Sequence, residues 1–429
     1  MKNNEKLLDA IGEANEIHVP DMRDGGSKKQ KKHISMTSKI AIVSGACAAV
    51  LVVAAAVINN NTPQTDENLL RLWEEHRIYP KISDIKAETS ELEPIVSDII
   101  SGNMGFEGYM VHDISELDTI NPWSADKPLD SLPVYKNLSV KEKCNVPVHL
   151  TQEQMEEIAN NAAYCLGVKV ISTSAEPVSD ILSNPPEEAA DLPYCVEIIC
   201  DGEIFGIKNI KIRVLGDGQM SIDFDSGMRL PDGYSFTYAN TSEEQAIDVL
   251  EYLTDEFKAL LQFEDPAVYS FADRNIYGEQ IRGYYVYDKH EDYKQDILCY
   301  NFTNTEFCCD DNGNLMVIRI KNPMSAAQNL GEYPIIDANE AEQLLLTGNF
   351  ITSVPTEYLK NGAMSPDIIS KTELIYRTEP HDKYYQPYYR FYVELSDEYY
   401  AEGSRSQEMK EYGAFYVPAI ESEYLQMMG

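Results

Sequence analysis

The chain has 429 residues, 43% of them hydrophobic, and carries 71 Asp and Glu against 35 Lys and Arg, a formal net charge of −36. This is length and apolar content enough for several packed domains, and an acidity that excludes a nucleic-acid-binding surface. The charge is uneven: residues 1–39 hold eight Lys/Arg and six Asp/Glu, and the remainder holds 27 and 65, a net of −38.

The first element is a short amphipathic helix over about Glu5 to Glu16, with Leu7, Leu8 and Ile11 at helical spacing. A helix this short is marginal alone in water, and an apolar stripe without its own core suits docking to a partner. His18-Val-Pro20 and Asp24-Gly-Gly-Ser27 end it, and a lysine cluster follows: Lys28, Lys29, Lys31, Lys32 and Lys39. Next comes Ile40 to Ile58, with no charged residue and only Ser44 and Cys47 as polar groups. As a helix it spans roughly 28 Å, close to the ~30 Å of a bilayer core. Basic flanks stay cytoplasmic. The expectation is a cell-membrane protein with a 1–38 cytoplasmic tail, a single transmembrane helix over 39–59 and an extracytoplasmic C-terminus. A cleavable signal peptide, with Ala54-Ala55-Ala56 as its site, is the rival, but its apolar core is shorter and its basic start closer to the N-terminus. Cys47 lies inside the apolar run, where a lipoprotein cysteine does not.

Residues 60–149 are expected to form a semi-ordered juxtamembrane arm packing on the folded part. Leu69, Leu70, Leu72 and Trp73, then Ile95, Ile99 and Ile100, suggest short helices, and Asn121-Pro-Trp123 through Tyr135 is Pro-rich and extended. Three helix starts then recur about 90 residues apart, each with an N-cap residue followed three positions later by Glu or Gln: Thr151-x-x-Gln154, Thr241-x-x-Glu244 or Ser242-x-x-Gln245, and Asp337-x-x-Glu340. Their apolar faces are Met155, Ile158, Ala159, Ala162 and Cys165; Ile247, Leu250, Leu253, Phe257, Leu260 and Leu261; and Ala341, Leu344 and Leu345. Runs rich in β-branched and aromatic residues follow each. After the first come 194–200, 207–215 and 220–224; after the second 281–287, 297–302 and 315–320; after the third 373–376, 388–395 and 414–417. Gly216-Asp-Gly218 and Asp311-Asn-Gly313 are hairpin turns. The fold class is therefore α+β: about three helix-plus-antiparallel-sheet modules, at 150–235, 236–330 and 331–429.

Candidate chemistry is sparse. Asp223-x-Asp225-x-Gly227 and Asp310-x-Asn312-x-Asn314 resemble fragments of calcium loops, but position six is Met228 and Leu315 where an EF-hand needs Gly, so turns are the better reading. Seven cysteines remain outside the apolar stretch, without C-x-x-C or zinc spacing; most read as buried thiols, and no metal or cofactor is expected. The tyrosine-rich run 383–392 invites a carbohydrate-binding reading. Period two assigns Tyr389, Phe391, Val393 and Leu395 to a core face, and Tyr388, Arg390, Tyr392 and Glu394 to an outer face with cross-strand Tyr, Arg and Glu pairs. G-x-S-x-G, H-E-x-x-H and phosphate-loop signatures are lacking, and no catalytic residue is expected.

The tail Lys6-Leu-Leu-Asp-Ala-Ile-Gly-Glu-Ala-Asn-Glu16, with its lysine run and single span, resembles membrane-anchored proteins of low-GC Gram-positive bacteria, including anti-sigma factors. Gly278-Glu-Gln-Ile-Arg-Gly283, the following YYVYD, Tyr333-Pro-Ile-Ile336, Pro387 through Val393 and Tyr416-Val-Pro418 resemble the YycH/YycI group. Those are single-pass proteins whose outer domains, related to PepSY modules, regulate a cell-wall histidine kinase. The resemblances imply a non-enzymatic regulator with a cytoplasmic sigma factor or a membrane histidine kinase as partner; Leu7, Leu8 and Ile11 would be the partner-binding residues. The alternative is a cell-wall-associated binding or inhibitor module without cytoplasmic output.

Overall fold

The structure, a computed structural model, describes residues 66–87, 91–97, 105–141, 144, 146–202, 207–275, 277–379, 381–396 and 409–427. Leu7, Leu8, Ile11 and the apolar stretch 40–58 lie outside the described residues. Among the described residues no helix is long and apolar enough to cross a membrane.

The arm begins with helix α1 (Asp66–Glu75), which buries Trp73. Ile95, expected in a helix, is instead extended in β1 (Ile95–Ser97) and pairs in parallel with β17 (Leu425–Met427). There it buries against Val134, Tyr333 and Ile420, a tertiary contact that overrides local preference. Strands β2 (Gly108–Val111) and β3 (Ser131–Asn137) complete the arm.

Helix α2 (Gln152–Cys165) starts at the capping box of Thr151 and Gln154, and all five expected face residues are buried. After it come β4 (Lys169–Pro177), the one-turn α3 (Val178–Ile181), β5 (Pro193–Asp201), β6 (Ile210–Leu215) and β7 (Met220–Arg229). Of the two capping boxes open to the second helix, Ser242 and Gln245 form the one that starts α4 (Glu243–Glu256). The chain breaks at Phe257 before α5 (Lys258–Leu261), then runs through β8 (Pro266–Arg274) and β9 (Gln280–Asp288).

The run 297–302, read as a strand, is helical. It forms α6 (Tyr293–Phe302), where the Asp292 carboxylate accepts the Gln295 N–H at 3.0 Å as N-cap. Ile297, Leu298, Cys299, Tyr300 and Phe302 are all buried, and a continuous apolar run carries no periodicity to separate helix from strand. Strands β10 (Asn304–Cys309), β11 (Asn314–Lys321) and β12 (Ala327–Pro334), helix α7 (Ala338–Leu346), β13 (Ile369–Tyr376), β14 (Tyr384–Tyr385), β15 (Pro387–Glu394) and β16 (Lys410–Pro418) follow. Asp310–Asn314 closes the β10–β11 hairpin, the Asp310 carboxylate accepting the Asn312 and Asn314 N–H groups. Asp223 and Asp225, expected in a turn, lie instead within β7, whose pairing with β11 is irregular between Asp223 and Met228, where Gly227 has φ +72.

Twelve strands join in one antiparallel sheet, in the order β13-β15-β16-β2-β8-β9-β10-β11-β7-β6-β5-β4. The first two helix-plus-sheet layouts meet where β7 pairs with β11, from Asn314↔Arg229 to Ile320↔Met220. The second and third meet through β2, an arm strand set between β8 and β16. Smaller sheets are β12-β3-β14 and β1-β17. Alternate residues of β9 feed two cores: Tyr284 and Val286 pack with α2, α4 and α5, while Tyr285 and Tyr287 pack with α6, α7, β15 and β16. The fold is α+β, with helices on both faces of a large antiparallel sheet.

Candidate functional site

Strand β2 is only four residues long and pairs with β8 through the single pair Met110↔Arg274, while β16 takes all four of its residues. Where this staple ends, the β8–β9 side and the β13–β15 side flank a half-open cavity of about 270 Å³.

One wall is aromatic. Tyr269 and Tyr285 are directly opposite on β8 and β9, so their rings stack with centroids 5.3 Å apart, and Phe271 stacks on Tyr285 at 5.6 Å and 6°. Phe271 is opposite Gly283, where a Cβ would lie 2.4 Å from the Tyr285 ring. The missing side chain gives that ring its place. Tyr300 of α6 adds a fourth ring, 5.7 Å from Tyr269.

The facing wall carries charge. Glu373 and Arg390 are cross-strand partners on β13 and β15, and the guanidinium donates to Glu373 Oε2 from Nε at 3.2 Å and Nη2 at 2.5 Å. Tyr392 donates to the same oxygen, and Lys371 Nζ lies 2.9 Å from Oε1. Glu373 is 3% exposed; burial works against its ionisation, but Arg390 and Lys371 outweigh it and hold the carboxyl below the usual range. Arg390 also lies over the Tyr392 ring, 5.0 Å from its centroid. Its Nη1 makes no hydrogen bond to a described residue.

The arm closes the third side with Tyr109, Leu117 and Thr119. It is held at several points. Arg377 and Tyr416 both donate to Glu107, Arg274 pairs with Glu116 at 2.9 Å, and Lys371 reaches both the Leu117 carbonyl and Asp118 at 2.9 Å. Thr119 is hydrogen-bonded to Tyr300, and the Asp273 carboxylate accepts the Met110 N–H at 2.9 Å. Burial raises Asp273 to about 6 against its ordinary 3.8, the backbone N–H groups of Arg274 and Met110 offsetting part of that effect. Burial likewise pushes the Tyr300 phenol up to about 12 and raises those of Tyr109, Tyr269, Tyr285 and Tyr392, so all five are neutral hydroxyls near pH 7.

The expected core face of β15 is buried at Tyr389, Phe391, Val393 and Leu395. The expected outer face is a correction: Tyr388 and Tyr392 are buried too, and Arg390 is largely so. Arm residues such as Tyr109, whose ring meets that of Tyr392 edge-on at 5.5 Å, cover this face. The cross-strand pairing expected there is present as Arg390 with Glu373, while Glu394 pairs with Lys360 and Lys410.

No protein family, curated protein or solved structure matches this chain.

Sequence reasoning reached Arg390 and Tyr392 but missed Tyr109, Thr119, Tyr269, Tyr285, Tyr300 and Glu373 as members of one site. Recognising β8 would have placed Tyr269 opposite Tyr285; no local signal connected either to the arm. A second cleft, of about 520 Å³, lies at the start of α2, with Lys141 and His149 on its wall. Among the described residues it carries no buried ion pair. The tyrosine cavity offers aromatic rings, neutral hydroxyls and a buried Arg390–Glu373 ion pair, an arrangement suited to binding.

Proposed function

We propose that this chain is a non-enzymatic, single-pass membrane protein whose acidic extracytoplasmic region, built from three helix-plus-antiparallel-sheet modules, binds a small ligand in the tyrosine cavity. Occupancy is passed through the span to the cytoplasmic tail, where Leu7, Leu8 and Ile11 hold a partner of the sigma-factor or histidine-kinase kind. The observation that supports this reading is that one segment does two jobs. Residues Tyr109, Leu117 and Thr119 line the cavity, and they belong to the stretch that joins the sheet to the apolar segment 40–58. A ligand that favours one seating of this segment shifts its population, and the shift is available at the membrane.

The output end is tested with a peptide of residues 1–38. The wild-type peptide is expected to enrich a cytoplasmic partner, and replacing Leu8 and Ile11 together by Asp to abolish the capture, since each buried apolar side chain contributes roughly 1.5–3 kcal/mol. Equal recovery with both peptides removes the cytoplasmic output and favours a wall-associated binding or inhibitor module.

A further inference from the structure

Resting on the reading of the tyrosine cavity as a ligand site, we infer that its ligand is a small anionic ring compound, a sugar acid or an aromatic acid. Three observations converge on this class. Size is the first: about 270 Å³ lies just below the roughly 300–1,000 Å³ of drug-sized pockets, so a single ring fits and a polymer does not. Shape is the second. The near-parallel rings of Phe271, Tyr285 and Tyr269 line one side, and Tyr109 and Tyr392, in edge-on contact with each other, line another. Such walls take the face of a ring.

Charge is the third, and it separates this class from its rival. A cluster of tyrosines also suits a quaternary ammonium ion. Here, however, the lining includes two cations, Lys321 and Arg390. Lys321 is exposed and has no ion-pair partner among the described residues. Glu373, the carboxylate behind Arg390, is already engaged by Arg390, Lys371 and Tyr392, and Asp118 is engaged by Lys371. Arg390 and Lys371 balance Glu373 and Asp118, so the positive charge left over is that of Lys321, and Arg390 adds the unbonded N–H groups of its Nη1. The hydroxyls of Tyr109 and Tyr285, without a hydrogen-bond partner among the described residues, supply neutral donors beside it. On a chain of net charge −36, a cationic cavity is a selective feature that the surface as a whole opposes.

The test is ligand-observed NMR and calorimetry on the full chain in nanodiscs, with glucuronate against glucose, benzoate against benzyl alcohol, and choline. Each acid is expected to bind at least tenfold more tightly than its neutral counterpart, and the pair that shows the larger ratio identifies the ring type. Lys321→Met is expected to lose about tenfold in affinity for the acid and Lys321→Arg to keep it. Lys321 is exposed, so both variants fold; an unchanged melting temperature checks this. Neutral compounds or choline binding as well as the acids, or Lys321→Met binding like wild type, overturns the ligand class and leaves the cavity reading standing. Binding of none of the five compounds overturns both.

Discussion

Individual side chains at the cavity are held in charge states that folding imposes. Glu373 is ionised although nearly inaccessible, because two cations and a phenol are fixed around it. Asp273 is the opposite case: burial dominates, and its carboxyl titrates near 6 against an ordinary 3.8. Between those values the folded chain binds more protons than the unfolded one, so this group's contribution is fully present below about 3.8 and is lost as pH rises through about 6. Asp273→Asn keeps an acceptor for the Met110 N–H and removes the charge. Its melting temperature is therefore expected to match wild type near pH 4 and to exceed it by about 2 °C or more at pH 7.5. A constant difference across that range would mean that Asp273 titrates normally. Burial acts on the thiols in a related way. All seven cysteines of the described residues are buried, and burial raises Cys308 and Cys309 to about 12.

At the level of elements, α7 shows what a local pattern conveys and what it leaves open. Asp337 caps the helix as its sequence indicates, accepting the Glu340 N–H at 2.8 Å. Of the apolar residues Ala341, Leu344 and Leu345, only Ala341 and Leu345 are fully buried, and the helix packs on β16. Leu344 is half-buried at the margin of the same core. Leu345→Asp is expected to destabilise the fold by several kcal/mol, since it buries an unpaired carboxylate, and Leu344→Asp by clearly less. Chemical denaturation of both variants decides the order, and equal losses would mean that the helix is turned towards Leu344. Strand β2 is the most weakly held neighbour in the large sheet, with one residue pair to β8, yet it carries the arm into the cavity wall.

For the whole molecule, the consequence of edge-to-edge pairing is cooperativity. Three layouts that look separable along the chain share one sheet, and residues 62–429 form one compact unit. A fragment starting at Thr62 is expected to unfold in a single calorimetric transition with matching calorimetric and van't Hoff enthalpies. Three resolved transitions would show that the β7–β11 and β2 contacts do not couple the layouts. What the sequence alone determined are features set within a few residues. The caps of Thr151, Ser242 and Asp337 and the turn at Asp310–Asn314 depend on side chains reaching backbone groups two to four positions away. The α+β class followed from them. The helical state of 297–302, the burial of the second face of β15 and the cavity were decided by tertiary structure. A run that is apolar all round fits helix or strand alike, and which it becomes depends on what surrounds it. Backbone pairing between strand edges is nearly independent of sequence, so nothing local announces that β2 inserts between β8 and β16. That insertion is what brings Tyr109, Tyr269, Tyr285, Tyr300 and Arg390, spread over 282 positions of chain, around one space of about 270 Å³.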